Sequence, residues 1–336
     1  MSALTTHQTP LQHGGNLNQA AAQYGIPLQN WLDLSTGINP HGYPVPAIPS
    51  RLWQRLPEAD DGLHATAQAY YGVSQVLATA GSQAAIQMLP ILLHSPCQVA
   101  MPRTMYAEHA KNWLAHGHTV HYFDDEPDEM LLEKIKVLLI CNPNNPTGQV
   151  FKPETLLKWH TQLAKKGGWL MVDEAFMDCT PEYSLAKFSP LPNLIILRSI
   201  GKFFGLAGAR VGFVIAEKTV LDKLENSLGP WPIASPARFI ATHALQNTAW
   251  QAATRLSLTQ QSVRLNTLLK QHGLPPQGNS TLFQWLPHHN AQAVHQHLAQ
   301  QGIWIRLFTD WNALRFGLPP ETGWGRLEAA LLNLPS

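Results

Sequence analysis

Three short apolar runs constrain the fold of this chain more than any other feature. KVLLI, GWLMV and LIILR each stop abruptly at polar or charged residues: CNPNNPTG after the first, DEAF after the second, SIGK after the third. Val-, Ile- and Leu-rich runs of this length read as strands buried on both faces. HTVHYF and VGFVIA are further strands of the same kind, and LATAGSQAAIQMLPILL reads as a strand end, a turn and a helix. Helical segments such as YAEHAKNWLAHG and PETLLKWHTQLAKKG separate some of them. That alternation predicts an α/β fold, a mostly parallel sheet covered by helices. Ligands of such sheets bind beyond the carboxyl ends of the strands, so the residues that follow each run are the candidates for chemistry.

The bulk numbers are compatible with this. A chain of 336 residues with 45% hydrophobic and 13% charged residues can bury a large core. The formal net charge is +1 with no Lys/Arg run, which argues against a nucleic-acid or anionic-membrane surface. Cys97, Cys141 and Cys179 are odd in number and widely spaced, which fits a reducing cytoplasm better than a disulfide framework. The first residues lack the basic and apolar regions of a signal peptide, and no run has the length of a membrane span. Sixteen histidines are scattered without an HExxH pair, and no metal site is expected.

After GPWP the character changes: a long helical region, TLFQWLP, the helix AQAVHQHLAQQG, strand-like GIWIRLF and ALRFGLP, and a last helix GWGRLEAALLNL. Residues 45–230 are expected to form a large α/β domain, and residues 1–44 with 231–336 a smaller α+β domain with an N-terminal arm.

Each polar cluster has an ordinary reading by itself. NPNNPTG is good turn chemistry, Asp173 can cap a helix, and so can Ser82. Their order, with Lys202 following in RSIGKFFGLAGARVGF, points elsewhere. Asn145 in NNPTG, Asp173 in DEAF, and Ser199, Lys202 and Arg210 in SIGKFFGLAGAR resemble the fold-type-I pyridoxal-phosphate (PLP) enzymes of the class I/II aminotransferase family. The resemblance runs from HGGN to LRFGLP. The chemistry agrees with it. PLP needs a lysine amine, and Lys202 lies among small and apolar residues that disfavour the ammonium form. A carboxylate, Asp173, keeps the ring nitrogen protonated so that the ring accepts electrons. Ser82 and Gln83 at a helix start, with Ser199 and Arg210, suit the cofactor phosphate. The resemblance implies that Asn145 donates to the ring oxygen, that Tyr106 stacks on the ring, and that Arg315 in NALRFGLP grips the substrate carboxylate.

HGGNLNQAAAQYGI and LDLSTGINPHGYP resemble the threonine-phosphate decarboxylases of cobalamin biosynthesis, relatives of the histidinol-phosphate aminotransferases. That likeness implies decarboxylation of L-threonine O-3-phosphate to (R)-1-amino-2-propanol O-2-phosphate and CO2. The site then needs a second anion pocket, with His13, Ser35, Thr36, Asn39 and Arg306 as candidates. Phe176 stands where many relatives have tyrosine. Leu56 stands where many have the tyrosine that reaches the partner subunit's cofactor phosphate. A homodimer without membrane or nucleic-acid partners is implied. A histidinol-phosphate or other amino-acid aminotransferase, or a PLP-binding regulator, stays open on sequence.

Overall fold

The computed structural model describes residue 11 and residues 13–335. In chain order the strands are β1 (Leu32–Asp33), β2 (Leu77–Thr79), β3 (Gln98–Pro102), β4 (Thr119–Phe123), β5 (Val137–Cys141), β6 (Trp169–Asp173), β7 (Leu194–Ser199) and β8 (Gly212–Ile215). They are followed by β9 (Gly278–Ser280), β10 (Phe283–Pro287), β11 (Ile303–Trp304), β12 (Arg306–Phe308) and β13 (Ala313–Gly317). The main sheet has seven strands in the order β2-β8-β7-β6-β5-β3-β4. The five strands from β7 to β4 pair in parallel, and β8 runs antiparallel to both neighbours.

Both faces of this sheet are buried, as the uninterrupted apolar runs predict. In β5, Leu138 and Ile140 belong to one core while Val137, Leu139 and Cys141 belong to the other. In β7 the same split separates Leu194 and Ile196 from Ile195 and Leu197. Strand side chains alternate between faces, so five consecutive apolar residues need two apolar layers. Each such side chain contributes about 1.5–3 kcal/mol when fully buried.

A four-stranded sheet, β12-β13-β10-β9, lies in the C-terminal part. The segment GIWIRLF, expected to be one strand, is divided at Ile305. Its first half, β11, pairs in parallel with β1, and its second half, β12, pairs antiparallel with β13. One short run thus joins the N-terminal segment to the sheet that carries Arg315. Among the described residues no helix is long and apolar enough to cross a membrane.

Candidate active site

Five segments at the carboxyl ends of the main sheet, after β2, β3, β5, β6 and β7, meet around a cavity of about 540 Å3. After β5, Asn142 and Asn144 do the turn's own bonding. Asn142 exchanges hydrogen bonds with Phe151, and Asn144 Nδ2 donates to Thr104 O at 2.8 Å and to Thr147 Oγ1 at 2.7 Å. Asn145, next in the chain, lines the cavity.

After β6, neighbouring acidic residues take opposite faces. Asp173 lines the cavity, its Oδ2 2.9 Å from His109 Nε2 and its Oδ1 accepting from Ala175 N at 3.0 Å. Glu174 points away and accepts from Arg198 Nη1 at 2.6 Å and from Ser184 Oγ at 2.5 Å. At the end of β7, Arg198 takes that rear face, pairing also with Asp178, and Ser199 takes the cavity face. Arg198 therefore neutralises two buried carboxylates behind the sheet, a role the sequence reading did not assign.

Lys202 follows Ser199 in the β7–β8 connection. Among the described residues its amine makes no hydrogen bond or ion pair, and it lies 5.5 Å from the Phe176 ring centroid. Burial, with a further push from Arg315, lowers its pKa to about 8. The neutral fraction of the amine therefore rises through pH 8. We expect the rate of cofactor attachment to the apoprotein to climb from pH 7 to about 9 and then level, as checked by stopped-flow absorbance. A flat profile would remove Lys202 as the attaching group.

The helix Gly81–Met88 begins directly after β2, so Ser82 and Gln83 occupy its first turn. Gly81 has φ +71°, and a Cβ there would lie 2.7 Å from Arg210 Nη2. Glycine at this point makes room for the guanidinium, which has no hydrogen-bond or ion-pair partner among the described residues. Tyr106 caps the helix Ala107–Ala115 and donates from its hydroxyl to Gln83 Oε1 at 3.2 Å. Burial pushes its phenol up to about 12, so it stays protonated.

Arg315 lies on β13 with 5% of its surface exposed. Its Nη1 donates to Asn145 Oδ1 at 2.5 Å and its Nη2 to Ser35 O at 2.6 Å, while Nε is buried without a hydrogen-bond partner among the described residues. Burial and Arg306 lower its pKa to about 9. Arg306 stands directly opposite on β12. Both line an adjoining cavity of about 400 Å3 together with His13 and Tyr106.

The structure therefore brings Ser82, Gln83, Tyr106, Asn145, Asp173, Ser199, Lys202, Arg210, Arg315, His13 and Thr36 to one cavity. Asn39 is the correction. Its Nδ2 donates to Phe203 O at 2.8 Å and its Oδ1 accepts from His41 N at 2.8 Å. Its backbone N–H also donates to Lys202 O, so it braces the lysine loop instead of facing a ligand. Ser35 is likewise occupied, its hydroxyl donating to Asp33 Oδ1 and accepting from Gly15 N. His109, Glu108 and Cys141 were missed. Tyr106 and His109 are three residues apart on a helix and share a face, a spacing that was readable in YAEH.

These residues suit pyridoxal phosphate on structural grounds. An unpartnered amine, a carboxylate held by a buried histidine, and an unpartnered guanidinium cradled by glycine match an aldehyde, a ring nitrogen and a phosphate.

A match to the family "Aminotransferase class I and II" spans residues 57–334, and the chain belongs to this family. Within it, the chain is 52% identical to a threonine-phosphate decarboxylase of Pseudomonas aeruginosa, covering 96% of this chain and 98% of that protein. It is 38% identical to one from Sinorhizobium sp, covering 97% and 98%. A histidinol-phosphate aminotransferase of Haemophilus influenzae is 31% identical, covering 91% and 88%. In fold the chain is similar to the histidinol-phosphate aminotransferase of Sinorhizobium meliloti, solved in complex with pyridoxal-5'-phosphate. The TM-score is 0.80 at 22% identity, covering 98% of this chain and 97% of that one.

Proposed function

We propose that this chain is a PLP-dependent carboxy-lyase that converts L-threonine O-3-phosphate to (R)-1-amino-2-propanol O-2-phosphate and CO2, a step of cobalamin biosynthesis. The observation that carries this reading is the 52% identity to a threonine-phosphate decarboxylase over nearly the whole of both chains. The opposed arginines 306 and 315 support it, because a phosphorylated amino acid brings two anionic groups.

When bound, pyridoxal phosphate supplies an aldehyde that joins an amine and a ring that takes up the electrons released when a bond at Cα breaks. The chain's residues do the rest. Lys202 would hold the cofactor by its aldehyde, and its amine, when free, would serve as a base or acid beside the substrate Cα. Asp173, fixed by His109, keeps the ring nitrogen protonated. Ser82, Gln83, Ser199 and Arg210 hold the cofactor phosphate, and Asn145 and Tyr106 orient the ring. Phe176, without a phenol, leaves the ring-oxygen contact to Asn145.

Arg315 holds the carboxylate, and His13, Thr36 and Arg306 hold the substrate phosphate. Holding both ends would fix the substrate's orientation in the cavity, and that orientation would favour loss of CO2 over loss of a proton. Residues 45–230 make the cofactor domain, and the remainder makes the domain that carries the arginines. We read the enzyme as a cytoplasmic homodimer. Trp53, Leu56 and Trp231, exposed by 67%, 63% and 55%, are apolar surface that a second copy would cover.

The test is incubation of the PLP-loaded protein with threonine phosphate and no 2-oxo acid. Stoichiometric CO2 and aminopropanol phosphate are expected. A strict requirement for an amino acceptor would make it an aminotransferase.

A further inference from the structure

The cavity contains a carboxylate that the proposed reaction leaves unused. Glu108, 6% exposed, lies in the first turn of the helix Ala107–Ala115 and lines the same cavity as Lys202 and Arg315. Its Oε1 lies 3.0 Å from His13 Nε2 and accepts from Lys111 Nζ at 3.4 Å. Its Oε2 accepts from Gln83 Nε2 at 3.2 Å and from Asn112 Nδ2 at 3.3 Å. Burial pushes its carboxyl up, but His13 and Lys111 outweigh it and hold the group below the usual range. A negative charge facing a site for anionic ligands repels them. Its presence there is explained by what it holds.

What it holds is a chain of contacts between the two phosphate subsites. On one side Gln83 is fixed by Glu108 and by the Tyr106 hydroxyl. On the other, His13 is fixed at Nε2, and its carbonyl accepts from Arg306 Nη1 at 3.0 Å. With Nε2–H given to Glu108, Nδ1 is the one ring nitrogen left for a ligand, and it donates when the ring is protonated.

We propose that Glu108 is a positioning residue for recognition of the substrate phosphate. It sets the orientation of His13 and ties the His13–Arg306 subsite to Gln83 and Tyr106 at a fixed place relative to the cofactor. The inference rests on the reading of the substrate as a phosphorylated amino acid.

The test uses the PLP-loaded enzyme, Glu108→Gln, His13→Ala and the double variant. Glu108→Gln keeps size and shape, removes the charge and turns one acceptor into a donor. For threonine phosphate, KM is expected to rise about tenfold or more in each single variant, by a larger factor than kcat falls. The double variant is expected to be no worse than either single one, because both act through one contact. Additive losses would overturn the proposal. So would a fall in kcat at unchanged KM, or loss of bound cofactor, read from its visible absorbance, at unchanged KM.

A readout free of turnover is calorimetric binding of inorganic phosphate to the loaded enzyme, whose cofactor subsite is filled. Glu108→Gln is expected to weaken it about tenfold, and equal binding would defeat the proposal. If wild type released no CO2 while the variant still weakened phosphate binding, the substrate reading would fail and the role of Glu108 would stand. Should Glu108→Gln not fold, Glu108→Asp, with its carboxylate withdrawn by one methylene, takes the same measurements.

Discussion

Lys202→Ala is expected to lower the rate of CO2 release from threonine phosphate by a factor on the order of 10^4 or more. On the proposed reading the substitution removes the covalent anchor and the amine placed beside Cα. Neighbouring groups do not replace it: Asp173 is tied to His109, and Arg315 is tied to Asn145 and Ser35. Single-turnover measurements with labelled substrate give the rate. Borohydride reduction of wild type followed by peptide mass analysis should place the cofactor on Lys202. A variant within tenfold of wild type, or label on another lysine, would contradict the assignment.

Arg315→Met is expected to reduce kcat/KM for threonine phosphate by about 10^2–10^3, corresponding to about 3–4 kcal/mol for a substrate carboxylate that loses a buried guanidinium partner. Lysine is expected to rescue little. The planar fork reaches Asn145 and Ser35 while keeping Nε unpaired, and an ammonium cannot reproduce that set. Steady-state kinetics of the Met and Lys variants check this. Full activity of Arg315→Lys would mean that only charge matters at this position.

The sheet was legible because its signal is local. Short apolar runs bounded by polar residues admit few other folds, and the strand-end rule then points to Asn145, Asp173, Ser199 and Lys202. Two kinds of feature were not legible. The first is how a polar side chain divides its bonding between neighbours. STGINP contains several groups able to bind an anion, and only the packed structure shows Asn39 committed to Phe203 and His41. The second is contact between residues far apart in sequence. His13 meets Glu108 across 95 positions, and Arg198 meets Glu174 behind the sheet. No pattern within one segment encodes such a meeting. The division of GIWIRLF at Ile305 belongs with these, since both halves are apolar and extended and only their partners differ.

The antiparallel step from β7 to β8 carries a mechanical consequence. Ser199 ends one arm, Lys202 lies in the connection, and Arg210 stands just before the other arm, where Ser199 pairs with Gly212. The groups assigned to the covalent end and the phosphate end of one small molecule thus belong to a single closed loop. A shift of that loop would carry both grips together, relative to the groups that other segments bring to the same cavity. The arginines on β12 and β13 belong to a different sheet, and relative motion between the two sheets would slide the substrate over a ring that keeps its own seating.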